Sequence, residues 1–183
     1  MKNLFSILCF LFTFALTAQT ATEYFTLAKE QASKKKYYKA IPNYKKAIAK
    51  DSTNLEYYWF LSEAILKENI RGSHRTDSGV FEGLEILDKM IKKGATSVKI
   101  YEQITTTNQY ILNDYSLRYK NFTPKPAATW QDEKPDTSAK EQFKAIALTA
   151  YNAIVESSNK ILALEPNNAK AISTLKYLKK PEF

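Results

Sequence analysis

The sequence contains little of the chemistry on which most catalytic and metal sites depend. Its 183 residues include one cysteine, Cys9, and one histidine, His74. Cys9 lies in an apolar N-terminal run that we expect to be removed, which leaves no thiol for disulfides, nucleophilic catalysis or thiolate metal sites. A lone histidine supports neither a catalytic triad nor a typical zinc site. We therefore expect a protein that is not an enzyme and that has no cofactor and no metal site.

Glycine is also scarce, with four in the whole chain, and alternating runs of β-branched residues bounded by turns are missing. Both absences argue against a sheet protein and predict an all-α fold. About 165 residues follow the N-terminal run, which is the usual length of one domain. We expect a single helical domain over residues 19–183.

The N-terminus is typical of a secretory signal peptide. A short positive start at Lys2 precedes an apolar stretch over residues 4–16, and small residues end it at Thr17-Ala18. The apolar stretch is about 13 residues long, whereas a membrane helix needs roughly 20. We expect cleavage after Ala18, a periplasmic or secreted location, and no transmembrane span in the mature protein.

Helix starts are indicated by capping boxes, in which a Ser or Thr and a Glu three residues later satisfy backbone donors reciprocally. Thr20 with Glu23, Thr53 with Glu56, and Ser138 with Glu141 fit this pattern. With the apolar periodicity, they predict helices over 21–35, 37–50, 54–69, 79–93, 97–111, 138–164 and 168–179.

Three segments are expected to interrupt or shorten these helices. Residues 68–78 are predicted to be a surface insertion, and the helix around Leu117 is expected to be cut short at Pro124. Residues 123–137 contain three prolines and are predicted to be a linker that Trp130 pins to the core.

A repeat with a period of 34 residues is the main organisational signal. Tyr24-x-x-Leu27-Ala28 recurs as Tyr58-x-x-Leu61-Ser62, and Ala40 and Gly83 occupy equivalent small-residue positions in the helices that follow. This pattern resembles the tetratricopeptide repeat (TPR). The resemblance implies a right-handed α-solenoid of antiparallel helix hairpins, here with a long helix and a capping helix at the C-terminus.

The resemblance also implies a concave groove, lined by the first helix of each hairpin, that binds a peptide or protein segment. The candidate groove residues are Phe25 and Lys29 in the first repeat, Trp59, Glu63 and Lys67 in the second, and Glu102 and Thr106 in the third. Some members bind acidic C-terminal tails through a clamp of lysine and asparagine residues. That clamp is not reproduced in these positions, so its function is not carried over.

Two further kinds of site are suggested by short tracts. Arg71, His74 and Arg75 around Gly72 could bind an anion or a partner, since guanidinium groups suit phosphate and carboxylate. Asn121-Phe122-Thr123 and Asp51-Ser52-Thr53 resemble glycosylation acceptors, although the second tract also suits a turn between helices.

The formal charge of +8 fits two interpretations. The lysines of the first hairpin follow its expected outer surface, which predicts a solvated face, and an acidic partner in the cell envelope is the alternative. Export argues against nucleic acid as the partner.

Three functions remain open at this point. The first is an adaptor that binds a protein segment in its groove, which predicts an open groove with exposed aromatic residues. The second is an accessory subunit of an envelope assembly, which predicts an apolar patch on the long helix or the linker. An enzyme or a carbohydrate-binding protein is less favoured.

Overall fold

The computed structural model describes residues 19–72, 76–123 and 137–183. Over these ranges the chain is helical and contains no strand, so the predicted all-α class is confirmed. The helices are α1 (Ala21–Ser33), α2 (Tyr37–Lys50), α3 (Leu55–Arg71), α4 (Asp77–Lys92), α5 (Val98–Lys120), α6 (Ser138–Leu164) and α7 (Ala169–Tyr177). None of these helices is long and apolar enough to cross a membrane.

Several sequence-based predictions fall outside the described residues. They are the signal peptide over residues 1–18 with its cleavage after Ala18, the candidate residues His74 and Arg75, and almost all of the 123–137 linker with Trp130.

The helices belong to two compact units, Met1–Lys92 and Lys93–Phe183. In the first unit α1 packs on α2, α2 on α3, and α3 on α4. In the second unit α5 packs along α6, and α6 packs against α7. The assignment of residues 19–183 to a single domain stays a prediction.

The core of the first unit combines small residues with aromatic rings. Ala28 of α1 and Ala40 and Ala47 of α2 have no exposed surface, which allows the two helices to approach closely. Tyr44 and Phe25 fill the space beside them, with ring centroids 5.8 Å apart. The outward lysines of this hairpin, by contrast, are exposed as predicted (Lys34, Lys35, Lys36, Lys39, Lys45, Lys46 and Lys50).

Part of the surface loop that the sequence predicted over residues 68–78 is helical. Glu68 and Asn69 are buried in the last turns of α3, and Asp77 already belongs to α4. The Asn69 amide donates to the Ile65 carbonyl oxygen at 2.8 Å, and its Oδ1 accepts from Thr76 N and Thr76 Oγ1 at 3.2 and 2.7 Å. Asn69 therefore joins the end of α3 to Thr76, just before α4, and residues 73–75 lie outside the described residues.

The helix predicted over 97–111 is longer in the structure, since α5 runs without interruption from Val98 to Lys120. This stretch contains no glycine or proline, and Ile111, Leu112 and Tyr115 continue its buried stripe. The β-branched Thr105 within this helix donates from Oγ1 to the Tyr101 carbonyl oxygen at 2.8 Å.

The long helix is observed with the predicted bounds, 138–164. Ala147, Ala150, Ile154, Ser158 and Ile161 form its buried stripe, as the spacing indicated. Ser157 Oγ lies 2.7 Å from Thr105 Oγ1 and ties α6 to α5 within the second unit.

One of the three predicted capping boxes is confirmed. Thr20 Oγ1 accepts from Glu23 N at 3.2 Å, and Glu23 accepts from Thr20 N at 2.8 Å. At α3 the N-cap is Asn54, whose Oδ1 accepts from Glu56 N at 3.0 Å, because Thr53 bonds instead to Asp51. At α6 the N-cap is Thr137, which makes no side-chain cap bond.

Candidate functional site

A cleft of about 260 Å³ opens between the first three helices of the first unit, and we call it the inner cleft. Its lining comes from α1 (Lys29, Ala32 and Ser33), α2 (Tyr37 and Tyr44) and α3 (Phe60, Glu63, Ala64 and Lys67). The cleft therefore has apolar walls, a buried phenol and three charged side chains.

Local sequence explains why these side chains meet. Phe60, Glu63 and Lys67 are three and four residues apart, so they lie along one face of α3. Lys29 and Ser33 are likewise four residues apart on α1. Ala32 and Ala64 are small and leave the recess open between the larger side chains.

The cations of the inner cleft lie near aromatic rings and one carboxylate. Lys67 Nζ is 3.0 Å from Glu63 Oε1 and 5.7 Å from the centroid of the Tyr37 ring. Lys29 Nζ is 5.0 Å from the centroid of the Phe60 ring and 5.3 Å from that of Phe25. These distances are within the range of cation–π attraction, which places the Lys29 ammonium group beside the cleft.

Tyr44 is the most unusual residue of the inner cleft. It has no exposed surface, yet its hydroxyl forms no hydrogen bond with any described residue. Burial, and secondly the negative charge of Glu63, raise the pKa of Tyr44 to about 12. Tyr44 is therefore neutral at ordinary pH and keeps a proton to donate. Buried hydroxyls are normally paired, because an unpaired one costs free energy.

A second cleft of about 380 Å³, the outer cleft, adjoins the first. It is lined by Lys35, Tyr37, Tyr38, Lys67, Glu68, Arg71 and Gly72. Tyr37 and Lys67 line both clefts, and we call the two clefts together the groove. Four cationic side chains border this groove (Lys29, Lys35, Lys67 and Arg71), against two carboxylates (Glu63 and Glu68).

The groove brings together four of the residues suggested by the sequence. Lys29, Glu63 and Lys67 line the inner cleft, and Arg71 lines the outer cleft. Glu102 and Thr106 lie on α5 in the second unit and are not among the lining residues of either cleft. Glu102 Oε1 instead lies 3.5 Å from Lys170 Nζ of α7, and Thr106 is exposed.

Phe25 and Trp59 do not provide the exposed aromatic surface expected of groove residues. Phe25 is 8% exposed, and its ring packs in the core with a centroid distance of 4.6 Å to Tyr57. Trp59 is 9% exposed. Trp59 is not among the lining residues of either cleft, although it precedes Glu63 by four residues on α3.

Sequence reasoning missed the aromatic residues that line the inner cleft. Phe60 precedes Glu63 and Lys67 by three and seven residues, so helical spacing alone could have placed it on their face. Tyr37 and Tyr44 carry no such signal, because their positions depend on how α2 packs against α1 and α3.

The second unit has its own surface recess, of about 620 Å³, between α5 and α7. Its lining is mainly polar and basic (Gln109, Leu112, Asn113, Lys170, Ser173, Thr174, Tyr177, Leu178 and Lys179). Tyr177, 69% exposed, is its most accessible aromatic side chain. Across the described parts of both units, no cluster of three His, Cys, Asp or Glu residues could hold a metal ion.

No model of a known protein family matches this chain, and no curated protein matches it.

Proposed function

We propose that this protein is an exported, non-catalytic adaptor that binds an extended segment of a partner protein in the groove of its first unit. The observation that carries the proposal is the inner cleft itself. It combines apolar side chains, the charged side chains of Lys29, Glu63 and Lys67, and the buried Tyr44 hydroxyl, which forms no hydrogen bond with any described residue. A few polar groups within an apolar recess are typical of binding sites.

The inner cleft is a small recess, with a volume of about 260 Å³. A single side chain fits such a recess, and the neighbouring outer cleft continues in the direction of Arg71. An extended chain could therefore place successive side chains in the two clefts.

We further propose that α1 with α2, and α3 with α4, are two TPR-like hairpins. The equivalent positions of the two pairs support this, since Ala28 and Ala40 are fully buried in the first pair. In the second pair Ser62 Oγ donates to the Gly83 carbonyl oxygen at 2.8 Å. In a TPR-like arrangement the inner cleft would lie on the concave face.

Site-specific photo-crosslinking in the source cell tests where a partner binds. A photoreactive residue at Ser33, which is exposed and lines the inner cleft, should give a partner adduct. The same residue at Ala49, which is exposed on α2 and does not line either cleft, is the matched control. Equal adduct formation at both positions, or none at position 33, would contradict the adaptor proposal.

The alternative, an accessory subunit of an envelope assembly, is favoured by exposed apolar side chains in the second unit. Ile172 and Tyr177 of α7 and Leu117 of α5 are all exposed. Exposed apolar residues mark interaction surfaces when they are contiguous. A photoreactive residue at Ser173 tests this alternative, which predicts adducts at position 173 and none at position 33.

Export is tested separately by N-terminal sequencing of the protein from the source cell. We expect the mature chain to begin at Gln19. A chain that begins at Met1 and stays with the cytosolic fraction would contradict the export proposal and leave the cleft proposal standing.

A further inference from the structure

We propose that the recess between α5 and α7 of the second unit binds a neutral glycan chain. One sugar ring would pack against Tyr177, and its hydroxyl groups would bond to the uncharged polar side chains around that ring. This site goes beyond the proposed function, since it lies in the second unit and does not depend on what the groove of the first unit binds.

Two helix faces border the recess. Gln109 and Asn113 are four residues apart on α5, and Ser173, Thr174 and Tyr177 have three- and four-residue spacing on α7, so each set shares one face of its helix. Both helices pack against α6, and the recess lies between them. Asn113, Ser173 and Tyr177 are exposed, so the recess is open to a chain that passes across it.

The polar groups of the recess are mostly neutral and can both donate and accept hydrogen bonds. They are the amides of Gln109 and Asn113 and the hydroxyls of Ser173 and Thr174. None of these four side chains forms a hydrogen bond with another described residue. Sugar hydroxyls also donate and accept, whereas carboxylates and phosphates only accept. A glycan therefore uses the full bonding capacity of this lining, and a simple anion uses half of it.

Tyr177 provides the apolar surface that a sugar ring needs. Its side chain is 69% exposed, and it lines the recess. Lys176 Nζ lies over the ring, 5.2 Å from its centroid, but Lys176 is not a lining residue, so another part of the ring borders the recess. The C–H groups on one face of a sugar form an apolar surface. That surface can pack on an aromatic ring while the sugar hydroxyls reach the polar groups beside it.

The charges of the recess are few. Lys170 and Lys179 are its cations, and none of its lining residues is a carboxylate. Lys170 Nζ lies 3.5 Å from Glu102 Oε1, and Lys179 is exposed, so salt screens its charge. A nucleic acid or another polyanion would depend on these two lysines, and a neutral glycan would not.

A protein segment fits this recess less well. Protein segments are commonly held by large apolar anchors that enter apolar pockets. The aliphatic side chains of the lining are Leu112, which is 8% exposed, and Leu178, which is half-buried. Both are largely covered already, so a protein partner serves as an outcome of the test.

The first experiment is a glycan array that carries neutral hexose and N-acetylhexosamine oligosaccharides, sulfated oligosaccharides and the glycans extracted from the source cell. The probe is the full protein purified from that cell and labelled with a fluorophore. We expect binding to one or more neutral glycans that persists in about 1 M NaCl, where the Debye length is about 3 Å. Binding that is confined to sulfated glycans and lost at this salt concentration, or no binding to any glycan, would overturn the proposal.

The neutral glycan that binds most strongly is then titrated into variants by isothermal titration calorimetry. Tyr177→Ala should weaken binding at least about tenfold, because it removes the surface on which the sugar packs. Tyr177→Phe keeps the ring and should retain the parent affinity within about threefold. Asn113→Ala should weaken binding about three- to tenfold, since it removes one hydrogen-bonding group. Equal affinity of Tyr177→Ala and the parent protein would overturn the proposal.

Matched controls remove the same groups outside the recess. Tyr38 is 52% exposed and, like Tyr177, has a lysine over its ring, with Lys39 Nζ 5.7 Å from the centroid. Tyr38→Ala, and Asn152→Ala at an exposed position of α6, should each change affinity less than about twofold. Lys179→Gln removes a cation of the recess and should also have an effect below about twofold. A greater loss with Lys179→Gln than with Tyr177→Ala would overturn recognition by neutral groups.

The photoreactive residue at Ser173 provides an independent test of the same recess. A protein adduct at position 173 would assign the recess to a protein partner and overturn the glycan proposal. Absence of a protein adduct, together with glycan binding that requires Tyr177, is the result expected for a glycan site.

Discussion

Leu66 of α3 lies directly against Gly83 of α4. An ideal Cβ at position 83 would be 2.5 Å from Leu66 Cδ2 and 2.6 Å from its Cγ, while Leu66 itself is 2% exposed. Ser62, one turn before Leu66, donates to the Gly83 carbonyl oxygen. The small residue at position 83 therefore lies at a close approach of α3 and α4, against Leu66, and Gly79 makes a still closer one, against Asn69.

Gly83→Ala should destabilise the protein by about 1–3 kcal/mol, because the buried Leu66 side chain has little room to move away. In a Leu66→Ala background the same change should become stabilising by up to about 1 kcal/mol, since only the helix preference of alanine over glycine remains. Urea unfolding followed by circular dichroism measures both effects. The same sign in both backgrounds would show that Leu66 is not the obstructing group.

Asn69→Ala should destabilise the protein by about 1–3 kcal/mol, because it leaves Thr76 N and the Ile65 carbonyl oxygen without the Asn69 side chain. The matched control is Asn152→Ala, an exposed position on α6, which should stay within about 0.5 kcal/mol of the parent. Equal stability of the two variants would restore the sequence-based interpretation of residues 68–78 as a dispensable loop.

Trp59→Ala should reduce the free energy of unfolding by about 3–5 kcal/mol, as expected for a large buried side chain. Tyr177→Ala removes an aromatic residue that is mostly exposed, and its effect should be within about 0.5 kcal/mol. Thermal and urea unfolding provide the comparison. A Trp59→Ala variant that melts like the parent but binds its partner weakly would instead support Trp59 as a groove residue.

Stability should fall as pH rises above about 10, and Tyr44 contributes to that fall. Its pKa in the folded protein, about 12, lies above its ordinary value of 10.0. A raised pKa means that the unfolded chain loses the proton first, so this contribution is complete below pH 10 and is lost as pH rises toward 12. The unfolding midpoints of the parent protein and of Tyr44→Phe are measured from about pH 8 to 11, a range that spans the ordinary tyrosine pKa. The two sets of midpoints should diverge only above about pH 10, the ordinary tyrosine pKa. Parallel curves would contradict the buried, high-pKa phenol.

Local patterns allowed much of the helical structure to be predicted. Thr20 and Glu23 cap α1 reciprocally, and the apolar stripe that includes Ala147 and Ile154 marks the long helix. Such signals act within one or two helical turns, so the residues that create them are neighbours in the chain. The predictions were less accurate where a residue distant in the chain determines the local structure. Asn69 is an example, because its side chain fits against Gly79 of the next helix.

The candidate site was predictable in its charges and not in its aromatic residues. Lys29, Glu63 and Lys67 all line the inner cleft, and Glu63 and Lys67 share a face of α3 because they are four residues apart. Trp59 and Phe60 are adjacent in the chain and both aromatic, yet Phe60 lines the inner cleft and Trp59 does not, and the packing of α3 against its neighbouring helices determines this difference.

What the sequence by itself determined is the all-α class, most helix bounds and the close approach at Gly83, because each depends on periodicity, capping or residue size. Only the tertiary structure decided which side chains lose contact with water and which meet in one recess. Tyr44 shows the difference, since its sequence position marks it as a core residue. Its unpaired hydroxyl beside Lys29 and Glu63 follows from the packing of three helices. The desolvation of a side chain depends on neighbours that are remote in the chain, and a local sequence pattern does not identify those neighbours.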